Sequence, residues 1–249
     1  MERSEWKKVL QEAPTGAFEG LLWRAVEDQS KNATMSLVDT LEEQARLEEL
    51  LDDSKPPYPE NAPENYLLAT PFRYPPLNWG SRFGSTTEMS IFYGSREQST
   101  ALAELAFYRL VFIEGITGTL PNPVVRARYD LFSAKFEFTP GIDLTALPFA
   151  EYATILQHKS EYRATQNLGV ELRESGVEGI FYTSARCPNN GINIAVLTVE
   201  GLKSKRPEEV HRCYCEATKD HVTLKVDPRD VLQFPRDIFL VGGSLPSPA

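Results

Sequence analysis

Cysteine is scarce: three in 249 residues. An odd, small number in a chain of this length makes no disulfide framework, which agrees with a reducing compartment. Basic residues are outnumbered, 26 Lys and Arg against 35 Asp and Glu, for a net charge of −9. An acidic chain repels a phosphate backbone, so nucleic acid is a poor partner. No apolar run approaches the ~18 to 20 residues that a bilayer span needs, and the opening MERSEWKKVLQEAP lacks the apolar centre of a signal peptide. A cytoplasmic protein without a membrane segment is expected. In that setting the glycosylation-like triplet Asn32 to Thr34 carries no weight.

The usual chemical signatures are missing too. There is no G-x-G-x-x-G and no G-x-x-x-x-G-K-[ST], so any nucleotide must be held without a glycine-rich cradle at a helix N-terminus. There is no G-x-S-x-G elbow and no H-E-x-x-H. In HRCYC, His211, Cys213 and Cys215 alternate as they would on one face of a strand, but no second pair of ligands with zinc spacing accompanies them. Ordinary strand residues are the preferred reading, and no metal is expected. No repeat of fixed period is present, and the mixture of helical and strand patterns lacks the regular βαβ alternation of a doubly wound sheet.

What is present suits a single compact α+β domain, with mixed, mainly antiparallel sheets and flanking helices; 249 residues at 41% hydrophobic composition suffice for a real core. The charge is uneven. Residues 1–64 hold 15 acids and 7 bases, whereas 65–249 hold 20 and 19. The spacing predicts an acidic N-terminal arm over 1–64, packed on a nearly neutral body over 65–249. The arm carries a strand at GLLWRAVE (20–27), interrupted by Arg24, and a helix over 36–53. Thr40 and Glu43 fit a capping box there, and Leu37, Leu41, Leu47, Leu50 and Leu51 form a stripe expected to pack on the domain. The prolines of 55–65 end that helix.

In the body, YLLATPFRYPP reads as strand then turn and SIFYG (90–94) as a strand. Ser95 or Ser99 is placed to cap a helix running to Glu114. The 124–138 stretch alternates, with Val125, Ala127, Tyr129 and Leu131 on one side. A helix over 161–175 ends at Gly176, followed by strands at 179–184, 193–199, HVTLKV and VLQFP.

Three polar residues stand out between 80 and 109. Glu104 lies in a helix that is apolar on nearly every side, where a carboxylate is costly unless paired or given a task; an ion pair with Arg109 or Arg96 and a functional role are evenly matched. Arg82 sits between two glycines in GSRFG, suited to a two-pronged grip on phosphate, although a turn arginine without a specific contact is commoner. Tyr93, at a strand end, suits either stacking on a flat ring or filling the core.

The order of these residues carries more than each alone. Arg82, Tyr93 eleven residues on, Glu104 eleven further within ALAE, and Ser184 in the downstream GIFYTSARCPNNGINIAVL together resemble the RES-domain family, named for its Arg, Glu and Ser. The resemblance runs from LLWRAVE to the VLTV strand. It implies a fold like that of ADP-ribosyltransferases and a toxin of a bacterial toxin–antitoxin pair that consumes NAD. The nicotinamide bond would be broken by hydrolysis or phosphorolysis, or ADP-ribose passed to a protein.

It also implies a partner, an antitoxin with a helix-turn-helix region whose C-terminal part covers the toxin's active site, and hence a hetero-oligomer, with a homo-oligomer also open. NAD is the substrate and no cofactor is needed. Glu104 would stabilise the positive charge developing on ribose, Arg82 and Arg186 would hold the pyrophosphate, Tyr93 would stack on nicotinamide or ribose, and Ser184 would hydrogen-bond one of them. A non-catalytic binding module, with Arg82 and Glu104 merely paired, is the competing reading.

Overall fold

A computed structural model of the chain describes residues 1–28, 37–118, 123–228 and 231–247; the Asn32 to Thr34 triplet lies outside them. Among the described residues no helix is long and apolar enough to cross a membrane. The elements run α1 (Arg3–Glu12), β1 (Gly16–Glu27), α2 (Leu41–Asp53), α3 (Tyr66–Arg73), β2 (Phe92–Ser95), α4 (Gln98–Glu114), β3 (Val125–Asp143), α5 (Ala153–Leu156), α6 (Arg163–Glu174), β4 (Gly179–Thr183), β5 (Ile192–Val196), β6 (Glu209–Ala217), β7 (His221–Val226) and β8 (Val231–Pro235).

The fold is α+β, as expected. Eight strands form one mixed sheet ordered β1-β2-β5-β4-β3-β6-β7-β8, and because β1 also pairs with β3, the first five close into a ring. The described pairings are antiparallel except that of β3 with β4. The long β3 joins the two halves. Its first part lies against β6 while its end pairs with β4. Its alternation holds as read: Tyr129 and Leu131 are buried, with Val125 and Ala127 packed against the same cluster.

Three apolar clusters fill the molecule. Phe92, Phe132, Phe136, Phe138 and Ile194 pack together within the ring strands. Leu102, Phe107 and Leu110 of α4 pack on β6 and β7 through Cys213, Cys215, Val222 and Leu224. Trp6, Phe83, Leu168, Leu172 and Ile180 join α1 and α6 to β4. Cys213 and Cys215 face one side of β6, as alternation predicts, and burial pushes their thiols up to about 12 and about 11.

The fold departs from the sequence reading in four places. First, β1, placed in the N-terminal arm on charge, is integral to the sheet: it runs in register with β3 from Phe18 to Glu27 and closes the ring. Second, residues 66–73 are helical rather than extended. Asn65 caps the helix by accepting from the Leu67 amide, and Leu68, Ala69 and Phe72 make a helical stripe that is buried.

Third, the capping box of α2 forms as predicted, with Thr40 and Glu43 each accepting from the other's amide, but of its leucine stripe only Leu47 is even half-buried. Leu37 and Leu41 are 74% and 75% exposed, Leu50 and Leu51 are exposed, and Gln44 is the buried residue. A capping box is local and sets a helix start whether or not a surface is available to cover it. Fourth, neither serine caps α4. Glu97 occupies that position without a side-chain cap, and Ser95 closes β2.

Candidate functional site

A cavity of about 560 Å³ opens between β1, β2, α4 and the start of α6, within the ~300 to 1,000 Å³ typical of small-molecule sites. Arg82, Tyr93, Glu104 and Arg186 all line it. Residues separated by a hundred positions in sequence are thus brought to one wall. Ser184 is buried beside it rather than in its lining.

Arg82 is placed by a closed turn. The Ser81 amide donates to the Gly84 carbonyl at 2.8 Å, and Gly80 has φ +73, where a Cβ would meet that same carbonyl oxygen at 2.4 Å. Only glycine is comfortable there. Gly169 of α6 lets the helix press on the turn, because a Cβ on it would lie 1.8 Å from the Phe83 carbonyl oxygen. The Tyr93 hydroxyl fastens the turn to β2, accepting from the Phe83 amide at 3.1 Å and bonding the Ser81 hydroxyl at 2.9 Å. Burial raises the Tyr93 phenol above its ordinary range, so it stays protonated.

From this turn Arg82 Nη1 donates to the carbonyls of Leu156 and His158, both at 2.9 Å, with the guanidinium 4.6 Å from the Tyr162 ring centroid. Arg186 rests on the same segment. Its Nη2 donates to the Lys159 carbonyl and to the Tyr162 hydroxyl, and its guanidinium lies 3.8 Å from the Phe107 ring centroid. Its Nη1 is buried without a hydrogen-bond partner. A buried guanidinium donor without a partner, on a residue that lines a cavity, suits an anionic ligand.

Glu104 does not pair with Arg109 or Arg96 among the described ion pairs; Arg109 points away, over the Phe112 ring. Glu104 Oε1 instead accepts from Ser184 Oγ at 2.6 Å and Asn193 Nδ2 at 2.7 Å. The Ser184 hydroxyl oxygen in turn accepts from the Arg186 and Cys187 amides, at 3.1 and 2.9 Å. With one proton given and two lone pairs occupied, that hydroxyl is saturated.

Sequence reading missed three residues of the wall. Arg24 of β1 donates from Nη1 to the Tyr93 carbonyl at 2.6 Å, and its Nε is buried without a hydrogen-bond partner. Desolvation lowers its guanidinium to about 10, which leaves it charged at neutral pH. Its signal was visible, a charge interrupting the apolar LLWRAV run. Asn193 is the one polar residue of the otherwise apolar β5 and was equally readable. Tyr162, which carries both guanidiniums, gave no signal. Among the described lining residues Glu104 is therefore the one carboxylate, sharing the cavity with three arginines, Arg24, Arg82 and Arg186, in a chain whose net charge is negative. Such a cavity favours an anion that develops positive charge next to the carboxylate.

A family model described as the RES domain matches residues 57–226. No curated protein matches the chain. Among solved structures, the chain is similar to one described as the M. tuberculosis MbcT-MbcA toxin-antitoxin complex, at 10% identity over 92% of each chain with a TM-score of 0.48.

Proposed function

The chain belongs to the RES-domain family, and from that premise we propose that it is an NAD-consuming enzyme that breaks the bond between nicotinamide and ribose. The observation that carries this reading is Glu104, held by two donors on one oxygen and, among the described residues, the one carboxylate in a cavity lining that also holds three arginines. Cleavage of that bond leaves the electron pair on the pyridinium nitrogen, so nicotinamide departs neutral and needs no general acid. The ribose left behind acquires oxocarbenium character, which Glu104 stabilises while water or phosphate adds to the anomeric carbon. Arg82, Arg186 and Arg24 hold the pyrophosphate, standing in for the glycine-rich cradle that the sequence lacks.

Two roles shift from those expected on sequence. Ser184, its hydroxyl saturated, positions Glu104 rather than touching the substrate. Tyr93 presents its ring to the cavity while its hydroxyl braces the Arg82 turn, so its part is divided between stacking and support. In the cell we assign the chain as the toxin of a toxin–antitoxin pair, its partner an antitoxin with a helix-turn-helix region.

The test is incubation of the purified chain with NAD, with and without phosphate, while free nicotinamide is measured. The wild type is expected to release it, and Glu104→Gln to lower the rate at least ~10²-fold. No release from the wild type, or undiminished release from the variant, overturns the proposal. Label from NAD appearing on protein instead of in free products would move it to ADP-ribosyl transfer.

A further inference from the structure

Glu104 is not held by the family serine alone. Asn193 donates a second hydrogen bond to the same oxygen, and Asn193 is itself fixed by Ser95, whose Oγ donates to Asn193 Oδ1 at 2.7 Å. Ser95 and Asn193 are direct cross-strand neighbours of β2 and β5, and both are almost fully buried, at 3% and 5% exposure. Burying a hydroxyl and an amide costs stability that apolar side chains would not, so the pair calls for an explanation.

We propose that Asn193, oriented by Ser95, is a positioning residue that pins Oε1 of Glu104 and so leaves Oε2 as the oxygen offered to the substrate. The inference rests on reading Glu104 as the catalytic carboxylate. The polarity of the chain is what makes it work. An ionised carboxylate only accepts, so the amide must turn its NH2 towards Glu104, and its carbonyl then needs a donor on the far side. The Ser95 hydroxyl is that donor. Without it the amide has a reason to rotate, and rotation would set Asn193 Oδ1 against the carboxylate. Ser184 and Asn193 approach Oε1 from β4's end and from β5, so the carboxylate is held from two strands while α4 supplies its backbone.

The position matters because misplacing a reacting group by about 1 Å can cost on the order of 10²-fold in rate. Asn193→Leu, with the same branching but without donors, is therefore expected to lower kcat for nicotinamide release about 10- to 100-fold while KM for NAD stays within about twofold. Ser95→Ala should lower kcat about fivefold by the same route, and Ser95→Thr, which keeps the hydroxyl, should restore it.

Crystal structures of wild type, Asn193→Leu and Ser95→Ala give a readout that needs no turnover. The Glu104 carboxylate should be turned in the first variant, and the Asn193 amide turned in the second. If the wild type releases no nicotinamide, the functional reading falls while the structures still decide the positioning. An unmoved Glu104 carboxylate in Asn193→Leu overturns the inference, as does a loss confined to KM. Should Asn193→Leu fail to fold, Ser95→Ala and its threonine rescue carry the test alone: equal activity in both overturns it.

Discussion

Helices α2 and α4 both carry leucines, and local chemistry marks them in opposite ways. The α2 start has a complete capping box, acids in its first turn and a leucine stripe. The α4 start has no side-chain cap, and its apolar residues surround the axis. Yet α2 lies with Leu41 and Leu50 in solvent, tied at its C-terminal end by Arg73, which pairs with Asp52 at 2.9 Å and donates to the Pro56 carbonyl at 2.6 Å. In contrast, α4 is wedged between β1, β2 and the β6–β7 ribbon with Leu102, Phe107, Leu110 and Ile113 buried. Caps decide where a helix begins, whereas burial depends on which surface the topology brings over it.

The contrast can be broken most severely at α4. Glu104→Gln should remove at least ~10²-fold of NAD cleavage, about 3 kcal/mol of transition-state stabilisation, with the melting temperature nearly unchanged; activity assays beside thermal denaturation check both halves. Leu110→Ala, which opens a cavity against β6 and β7, should cost about 3 kcal/mol in urea unfolding. Thr40→Ala removes the α2 cap and should cost about 1 kcal/mol, visible as faster hydrogen exchange of the α2 amides but not in global unfolding. Leu41→Ala should stay within about 0.5 kcal/mol by the same urea measurement. A large global loss from Leu41→Ala would mean that α2 is packed after all and that the two helices do not differ in kind.

Legibility followed the same divide. The strands at 20–27, 179–184 and 221–226, and the helix ending at Gly176, were readable because alternation, apolar periodicity and a left-handed glycine are local signals. The helix at 66–73 was misread because Pro71, the prolines that follow it and its aromatics suit an extended segment, and the Asn65 cap is a single weak cue. Ser95 looked like a cap, being a serine just ahead of a helix, but the β2–β5 pairing turned its hydroxyl to Asn193.

At the site, Arg82, Tyr93, Glu104 and Arg186 were singled out and line one cavity; their roles rest on the tests above. Arg24 escaped because a charge on a strand is ordinarily solvent-facing, and nothing local shows that β1 closes a ring. The saturation of Ser184 was equally hidden, since two of its three bonds go to backbone amides.

Closure of that ring has a consequence for synthesis. The wall begins at Trp23 and ends at Asn193, and β5 is inserted between β2 and β4, so the ring cannot close on a growing chain before residue 196 has been made. Pairings of such wide sequence separation form late and slowly. A chain that stops short of that point would display Arg82, Tyr93 and Glu104 without β5, the strand that carries Asn193.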